Sequence, residues 1–440
     1  MSARARDSVS TLGRALRHRN YRLFFTGQSI SLIGTWLTRV ATGWLVYRLT
    51  HSALVLGMVG FAGQLPTFVL APFAGVWVDR LNRHRVLVVT QALAAVQSAA
   101  MAILTLAGVI TVRDILLLSA FQGVINAVDM PTRQSFVVEM VEDRADLPNA
   151  IALNSSMFNG ARLIGPSIAG VLIAWVGEGW CFLLDAVSYL AVIASLLAMQ
   201  VPARAVVRAG GRVLHDLREG FRYVAGSTPI RSVLLLLALT GLFGMPYTVL
   251  LPIFAGQVLH GGPHTLGFLM AATGLGAFAG ALYMASRRSV LGLGRLIAVM
   301  SGVFGIALIA FSRSAWLWLS LPLLALVGTS MMVQMASSNT ILQTIVDEDK
   351  RGRVMSYYAM AFFGSAPLGS LFAGSLASRI GTPNTILIGG VACVISSALF
   401  HWNLPALRRA VRPVYRRLGI LPEIAEGMQA ASHVTAPPEE

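Results

Sequence analysis

Long apolar tracts constrain this sequence more than any other feature. From Ser232 to Ser286 the chain contains no Asp, Glu, Lys or Arg, and only the Gly- and Pro-rich segment His260–His264 interrupts the tract. A helix needs about 20 apolar residues to cross the hydrocarbon core of a bilayer. The tract therefore predicts two membrane-spanning helices joined by a hairpin turn. Over the whole chain 55% of residues are hydrophobic and only 12% are charged, which excludes a soluble globular protein.

Apolar runs of this length recur along the chain. They predict an all-α membrane protein with twelve transmembrane helices, numbered here spans 1 to 12. The predicted spans lie near residues 22–47, 55–78, 86–110, 115–138, 149–175, 180–200, 232–256, 266–286, 294–312, 316–342, 353–378 and 384–404.

The longest connection follows span 6 and divides the spans into two groups of six. Its residues Leu214, Leu217, Phe221 and Val224 recur at helical spacing, which is typical of a helix lying at the membrane surface. The predicted organisation is an N-terminal segment (1–21), a six-helix bundle (22–200), a linker with this surface helix (201–231), a second six-helix bundle (232–404), and a tail that is basic and then disordered (405–440).

The basic residues predict the orientation of the chain in the membrane. Of the 34 Lys and Arg residues, 28 lie in the N-terminal segment, the even-numbered connections and the tail, whereas four lie in the odd-numbered connections. The positive-inside rule then places both termini in the cytoplasm, in a multi-pass protein of the cell membrane. The net charge of +15 thus reflects topology and contact with anionic lipid headgroups. It does not indicate a nucleic-acid partner.

The two groups of spans also resemble each other. Leu56-Gly57 begins span 2 and Leu266-Gly267 begins span 8, while Gln122-Gly123 in span 4 has a counterpart in Val327-Gly328 of span 10. Chance similarity between apolar helices is the alternative explanation. Two related halves joined by a long linker are typical of secondary transporters, which bind substrate between the halves near the membrane midplane.

Two motifs resemble a known family. The connection between spans 2 and 3 reads GVWVDRLNRHR from Gly75 to Arg85, similar to the signature of the major facilitator superfamily. Span 5 contains Gly165, Pro166 and Gly170 in a segment that resembles the antiporter motif of that superfamily, with Ala at two of its glycine positions. Stretches beginning at Asp129, Leu147 and Phe182 are similar to the exporter branch that contains macrolide-efflux pumps and the enterobactin exporter. The resemblance covers about residues 15 to 405 and implies two pseudo-symmetric six-helix bundles.

The resemblance implies a role for each motif. In the first, a cytoplasmic conformational latch would consist of Gly75, Asp79, Arg80, Arg83 and Asp129, with a relay from Asp79 through Arg83 to Asp129. The alternative pairs Asp129 with Arg133 one turn along the same helix. In the span 5 motif, Gly165 and Pro166 would bend the helix and allow close contact with a neighbour. That bend either takes part in gating or is a static kink.

Charged residues within the spans are expensive in a bilayer and need a partner or a watery cavity. Besides Asp129, these are Arg39, Arg162 and Asp185. The depths of Arg39 and Asp185 along their helices predict a buried ion pair, and a proton-coupling role for Asp185 is the alternative. Arg162 has no acid at its depth, so we expect it to face the cavity and to contact an anionic group of the substrate or Asp129.

Polar residues in spans 1, 4, 7 and 10 are candidates for the cavity wall, although each of them could equally form a hydrogen bond between packed helices. They are Gln28, Thr35, Gln122, Asn126, Tyr247, Gln334 and Asn339.

The sequence gives no support to an enzyme, because it has no phosphate-binding loop, no metal-spaced cluster of His and Cys, and no nucleophile–base pair. We predict no cofactor and no metal site. The leading hypothesis is a secondary transporter, a monomer that exports small amphipathic molecules such as drugs or siderophore-like compounds by alternating access, coupled to protons. Alternatives are a lipid or siderophore exporter, a facilitator without proton coupling, and a membrane receptor or scaffold.

Overall fold

The computed structural model describes residues 13–78, 81–200, 213–287 and 289–417, and nearly all of them are helical. Spans 1 to 6 are the helices Arg19–Thr50, Ala53–Val78, Arg83–Leu106, Val112–Met140, Leu147–Val176 and Glu178–Leu197. Spans 8, 9, 10 and 12 are Pro263–Ser286, Leu293–Ser312, Leu317–Ile345 and Thr382–Arg417. Span 7 comprises Thr228–Leu239 and Tyr247–Ile253, and span 11 comprises Glu348–Phe363 and Ser365–Ile380. The linker contains the helix Val213–Gly226.

Eleven helices in the described part of the chain are long and apolar enough to cross a membrane, and span 1 is not among them. Span 1 has 32 residues, about 48 Å of helix, so its length is sufficient. Its hydropathy is low because it carries several polar residues, including Thr35, Thr38 and Arg39. Spans 5 and 6 both pack against it, so part of its surface is shielded from lipid and tolerates these residues.

Span 7 differs from the other spans because two π-helical turns interrupt it, at Thr240–Gly244 and Phe254–Val258. Pro246 follows the first turn, and Pro252 lies inside the short helix between them. Each proline removes a backbone hydrogen-bond donor and so weakens the regular helix in this segment. Such π-helical turns often mark functional positions in membrane helices.

The helices form two six-helix bundles that contact each other along two seams. Within the first bundle, span 1 packs on spans 5 and 6, span 3 on spans 4 and 6, and span 2 on span 4. In the second, span 8 packs on span 10, and span 9 on spans 10 and 12. The bundles meet where span 5 crosses span 8 and where span 2 crosses the second piece of span 11. These seams determine how the bundles can move relative to each other.

The apolar core shows how the bundles are joined. We call the end where span 1 begins the basic end. At the other end, one continuous core combines residues of both bundles, including Leu45, Ala53, Ile173, Phe254, Leu266 and Ala373. At the basic end the cores are separate. One includes Tyr21, Phe136 and Leu196 of the first bundle, and the other includes Leu237, Leu342 and Leu404 of the second. A cleft between the bundles therefore opens toward the basic end.

Candidate transport site between the two bundles

Arg39 lies deep in span 1 and faces the cleft. It is 20 residues from the start of the helix at Arg19, about 30 Å along the helix axis, and yet its side chain is exposed. Its guanidinium Cζ lies 4.8 Å from the centroid of the Trp36 ring, a cation–π contact. Trp36 packs against Met157 and Ala161 of span 5 and Met270 of span 8, which fixes the ring at the boundary of the two bundles.

Arg162, near the middle of span 5, is the second cation deep in the first bundle. Its side chain is half-buried, and its charge repels that of Arg39. Tyr247 of span 7 is buried, and its hydroxyl interacts with Arg162 and lies beside Thr273 of span 8. Arg162 of the first bundle therefore lies close to a polar group of the second bundle. Within the described chain, neither arginine forms an ion pair.

Asp185 in span 6 is bound by hydroxyl groups and not by a cation. Its Oδ2 accepts hydrogen bonds from Thr38 Oγ1 at 2.8 Å and from Ser98 Oγ at 2.7 Å, while its buried Oδ1 has no hydrogen-bond partner. The predicted Arg39–Asp185 ion pair is wrong. Thr38 and Arg39 are adjacent in span 1 and point about 100° apart around the helix, so when Thr38 faces span 6, Arg39 faces the cleft.

Asp129 in span 4 is also buried, but its partners are different. Its Oδ1 accepts from Thr90 Oγ1 and from Gln91 Nε2, both at 2.8 Å. Its Oδ2 forms an ion pair with Arg133. The structure therefore contains the local i, i+4 pair that the sequence offered as the alternative to the relay.

The link from Arg83 to Asp129 in the predicted relay is wrong. Arg83 Nη1 donates to Glu139 Oε1 at 2.7 Å. Glu139 is at the end of span 4, whereas Asp129 is ten residues deeper, about 15 Å along the helix, which is too far for an arginine at the start of span 3. Asp79 and Arg80 lie outside the described residues, and Gly75 is in the last turn of span 2.

The three residues of the span 5 motif allow close helix contacts. A Cβ atom at Gly165 would lie 2.5 Å from Trp36 Cβ, so this glycine makes room for the tryptophan that supports Arg39. A Cβ at Gly170 would lie 2.8 Å from the carbonyl oxygen of Pro263 and 3.1 Å from Gly267 Cα. Pro166 is inside the span 5 helix, which continues through it from Leu147 to Val176. The motif thus sets the distance to spans 1 and 8.

The predicted cavity residues are dispersed, and their hydrogen bonds run mostly along their own helices. Thr35 is exposed beside Arg39 and donates to the carbonyl of Ser31, while Gln28 is buried. Within their own helices, Gln122 Nε2 donates to Asn126 Oδ1 at 3.1 Å, and Gln343 Nε2 donates to Asn339 Oδ1. One hydrogen bond joins two helices: Gln334 Nε2 of span 10 donates to Thr240 Oγ1 of span 7 at 3.0 Å.

Sequence reasoning missed several ion pairs, among them one between spans 1 and 6, and all the hydroxyl partners of Asp185. Arg48 at the end of span 1 binds Glu178 at the start of span 6 through two hydrogen bonds, of 2.8 and 3.1 Å. Both residues lie just outside the predicted spans 22–47 and 180–200. Their opposite charges at matching ends of spans 1 and 6 were the available signal. Single hydroxyls such as those of Thr38 and Ser98 give no comparable signal in an apolar helix.

Comparison with known proteins identifies the family. The sequence model of the family described as "Transmembrane secretion effector" matches residues 10–416. The chain belongs to this family of major facilitator transporters. As expected from the resemblance of its motifs, it is a membrane transporter and not an enzyme.

Relatives of this transporter are named as a transporter and as efflux proteins. The Staphyloferrin A transporter of Staphylococcus aureus is 25% identical over 87% of this chain and 95% of its own length. The multidrug efflux pump Tap of Mycolicibacterium fortuitum is 30% identical over 80% and 88%. The macrolide efflux protein A of Streptococcus pyogenes is 22% identical over 86% and 95%.

Solved structures confirm the fold of the transporter. A bacterial homologue of the human lysosomal transporter Spinster, inward-facing and occupied, superposes with a TM-score of 0.68 and 15% identity, over 90% of this chain and 98% of the other. A bacterial homologue of the iron transporter ferroportin, in an inward-facing state, gives a TM-score of 0.67 and 14% identity, over 87% and 98%. At this identity the likeness concerns the fold alone.

Proposed function

We propose that this transporter exports small amphipathic molecules from the cytoplasm in exchange for protons, as a monomer of the cell membrane with both termini in the cytoplasm. The observation that carries the proposal is the division of the apolar core, which is shared by both bundles at one end and split at the basic end. The positive-inside rule places the basic end in the cytoplasm. The structure then corresponds to the cytoplasm-facing state of an alternating-access cycle.

The direction and the substrate class draw support from the relatives. Two of the three are named as efflux proteins for drugs or macrolides, and the third as a transporter of a siderophore. A wall that combines an aromatic ring, Trp36, with polar groups such as Thr35 suits molecules with apolar and polar parts. The chain supplies nothing in its sequence for nucleotide-driven transport, so an ion gradient drives the proposed cycle.

Asp185 is the proposed proton carrier. The hydroxyls of Thr38 and Ser98 can donate to a carboxylate or accept from a carboxylic acid, so the site accommodates both protonation states. At Asp129, by contrast, one partner is the guanidinium of Arg133, which can donate hydrogen bonds but cannot accept them. The hydroxyl cage therefore suits a group that binds and releases a proton in each cycle.

The surroundings of Asp185 connect the proton to span 1. A Cβ at Gly34 would lie 2.6 Å from Asp185 Oδ1, so the span 1 backbone passes directly over the carboxyl group. Tyr189 interacts with Asp185 along span 6 and with Asp129 and Arg133 of span 4. Span 3 has no charged residue from Val86 to Leu106. The cationic side chains of spans 1 and 5 that lie deep in the bundle are those of Arg39 and Arg162, and neither forms an ion pair with Asp185 among the described residues.

A latch at the basic end completes the proposal. Asp79 of the motif after Gly75 would hold the neighbouring helix ends in one conformation, as the family resemblance implies. The ion pair of Arg83 with Glu139 anchors the second half of the motif to span 4, which supports a mechanical connection between spans 2, 3 and 4 at this end.

The proposal is tested by dye-monitored ΔpH across inverted membrane vesicles, with a panel of macrolides, siderophores and lysolipids. A transported compound should collapse ΔpH with wild type and with Glu142→Gln, which neutralises an exposed acid at the basic end. It should not do so with Asp185→Asn. Radiolabelled flux of the same compound without any ΔpH response in wild type would refute proton exchange. An undiminished ΔpH response in Asp185→Asn would refute the assignment of the proton to Asp185.

A further inference from the structure

Arg39 and Arg162 lie deep in their spans, and no acid of the described residues neutralises them. Asp185 and Asp129, the buried carboxylates of the neighbouring spans, are bound by other groups. Within the described residues, Arg39 and Arg162 form no ion pair, and their charges repel each other. A charge in the middle of a membrane is costly unless a partner or water compensates it. A fold that keeps two such charges together leaves a place for an anion.

The structure holds the first arginine in a defined position. Arg39 lies over the face of Trp36, and Trp36 is fixed because Gly165 leaves room for its Cβ. A guanidinium that stacks on an aromatic ring keeps its edge free for hydrogen bonds. Its five N–H donors match a carboxylate or phosphate group in a two-point contact. The site therefore offers an aromatic surface next to an anion-binding edge.

The second arginine lies on the seam between the bundles. A Cβ at Gly274 of span 8 would be 2.8 Å from the carbonyl oxygen of Arg162, so spans 5 and 8 cross at this residue. Tyr247 of the second bundle interacts with the same guanidinium, and Thr273 lies beside the Tyr247 hydroxyl. A ligand bound at Arg39 and Arg162 thus touches the surface along which the bundles move.

We propose that Arg39 and Arg162 form the anion-binding part of the substrate site, and that the substrates are amphipathic molecules with a carboxylate or phosphate group. This inference rests on the proposed export function and narrows its substrate class. The anion removes the repulsion between the two guanidinium groups, and the apolar part of the substrate packs on Trp36. A cationic amphipath of the same size would add a third positive charge to the site and is excluded.

The test compares two fluorescent probes with the same ring and opposite charge, naphthylacetate and naphthylethylammonium. Binding to the purified full-length transporter in detergent is measured by probe fluorescence, and flux is measured in proteoliposomes. Naphthylacetate should bind at least about 10-fold more tightly than the ammonium probe. Arg39→Gln and Arg162→Gln should each weaken its binding roughly 10- to 100-fold, the loss expected for one hydrogen bond to a charged group.

Two matched variants separate charge from position. Arg113→Gln removes one positive charge from an exposed arginine at the start of span 4 and should leave binding unchanged. Gly165→Ala keeps every charge but displaces Trp36, so it should weaken the binding of naphthylacetate. Gly160→Ala should weaken this binding less, because its added Cβ meets nothing within 4 Å. Equal effects of the two glycine variants would contradict the role given to Trp36.

The outcomes distinguish this inference from the export proposal. Arginine-dependent binding without flux would support the anion site and count against export. Flux of the ammonium probe that is the same in wild type and in both arginine variants would overturn the anion site and leave the export proposal intact. The anion site would also be overturned if naphthylacetate bound wild type no more tightly than Arg39→Gln. Displacement of the probe by short-chain phosphatidylglycerol, but not by phosphatidylcholine, would identify a lipid headgroup as the source of the anion.

Discussion

The crossing of spans 5 and 8 should control which end of the transporter is open, and Gly267→Ala tests this. A Cβ at Gly267 would lie 2.6 Å from the carbonyl oxygen of Pro166, 3.0 Å from Gly170 Cα and 3.2 Å from Gly170 N. Ordinary contacts begin at 3.4 Å, and the atoms in the way belong to the backbone. No side chain can rotate to relieve the clash, so the two helices must separate by several tenths of an ångström.

The size of the effect follows from the cost of overpacking, about 1–3 kcal/mol. The cost applies only while spans 5 and 8 are tightly crossed, which in this structure is the state open at the basic end. Because each 1.4 kcal/mol changes an equilibrium tenfold, the substitution should shift the population toward the alternate state by roughly 5- to 150-fold. Gly170→Ala, on the other side of the same contact, should act in the same direction.

The assay is the distance between spin labels at the basic end, one on each bundle. Glu142→Cys and Glu348→Cys introduce labels at exposed positions at the end of span 4 and the start of span 11, whereas the native Cys181 and Cys393 are buried. Gly267→Ala should increase the population with a short distance.

The control for this assay is Gly160→Ala, on span 5 but with no atom near its added Cβ, which should leave the distances as in wild type. If Gly267→Ala lowers thermal stability but leaves the distance distribution unchanged, the crossing does not control the conformational equilibrium. An equal shift in both variants would show that a general effect on span 5 is responsible.

Three further outcomes are expected. Arg48→Gln should lower the Tm, because it leaves the buried Glu178 carboxylate without its partner. The expected loss in the free energy of unfolding is about 1–2 kcal/mol, since Arg48 is half exposed and solvent screens its charge. An unchanged Tm would show that the pair is dispensable. Lys350 at the start of span 11 donates a hydrogen bond to Glu219 of the linker helix and lowers the pKa of that carboxyl group. This contact between the linker helix and span 11 should persist above the ordinary glutamate pKa and weaken as the pH falls through the lowered value. Hydrogen exchange of Val213–Gly226, corrected for intrinsic rates, should show this loss in wild type but not in Glu219→Gln. Asp79→Asn should leave the protein inserted yet abolish most vesicle transport, and full activity would exclude the latch.

The fold could be predicted from the sequence because the relevant signal is local. Apolar length, turn residues and the distribution of Arg determine the number and direction of helices, and the family motifs fix their arrangement. The helix boundaries that the sequence did not predict lie where polar and apolar residues are mixed. Span 12 extends beyond residue 404 to Arg417, because the basic residues of its last turns do not prevent a helix from continuing.

The partners of charged residues were harder to predict because a sequence gives depth along a helix but not direction around it. Arg39 and Asp185 were placed at the same depth, yet one residue of difference along span 1 turns Arg39 away from span 6 and brings Thr38 toward it. The partner of Arg83 is a different case. Depth alone favours Glu139 over Asp129 as the partner of Arg83, since Glu139 is at the end of span 4. The resemblance to the family motif favoured Asp129 instead.

The composition of span 1 then has a physical explanation. One side of this helix packs on span 6 through Gly34 and Thr38, which meet the Asp185 carboxyl group. The next residue, Arg39, faces the cleft. In the proposed cycle, protonation of Asp185 removes the charge that the Thr38 hydroxyl stabilises, and any resulting shift of span 1 moves the Arg39 guanidinium as well. Because adjacent residues on one rigid helix contact the proton site and the substrate site, a direct bond between the two sites is unnecessary for coupling. Thr38 and Arg39, two of the polar residues that lower the hydropathy of span 1, are the residues that this coupling requires.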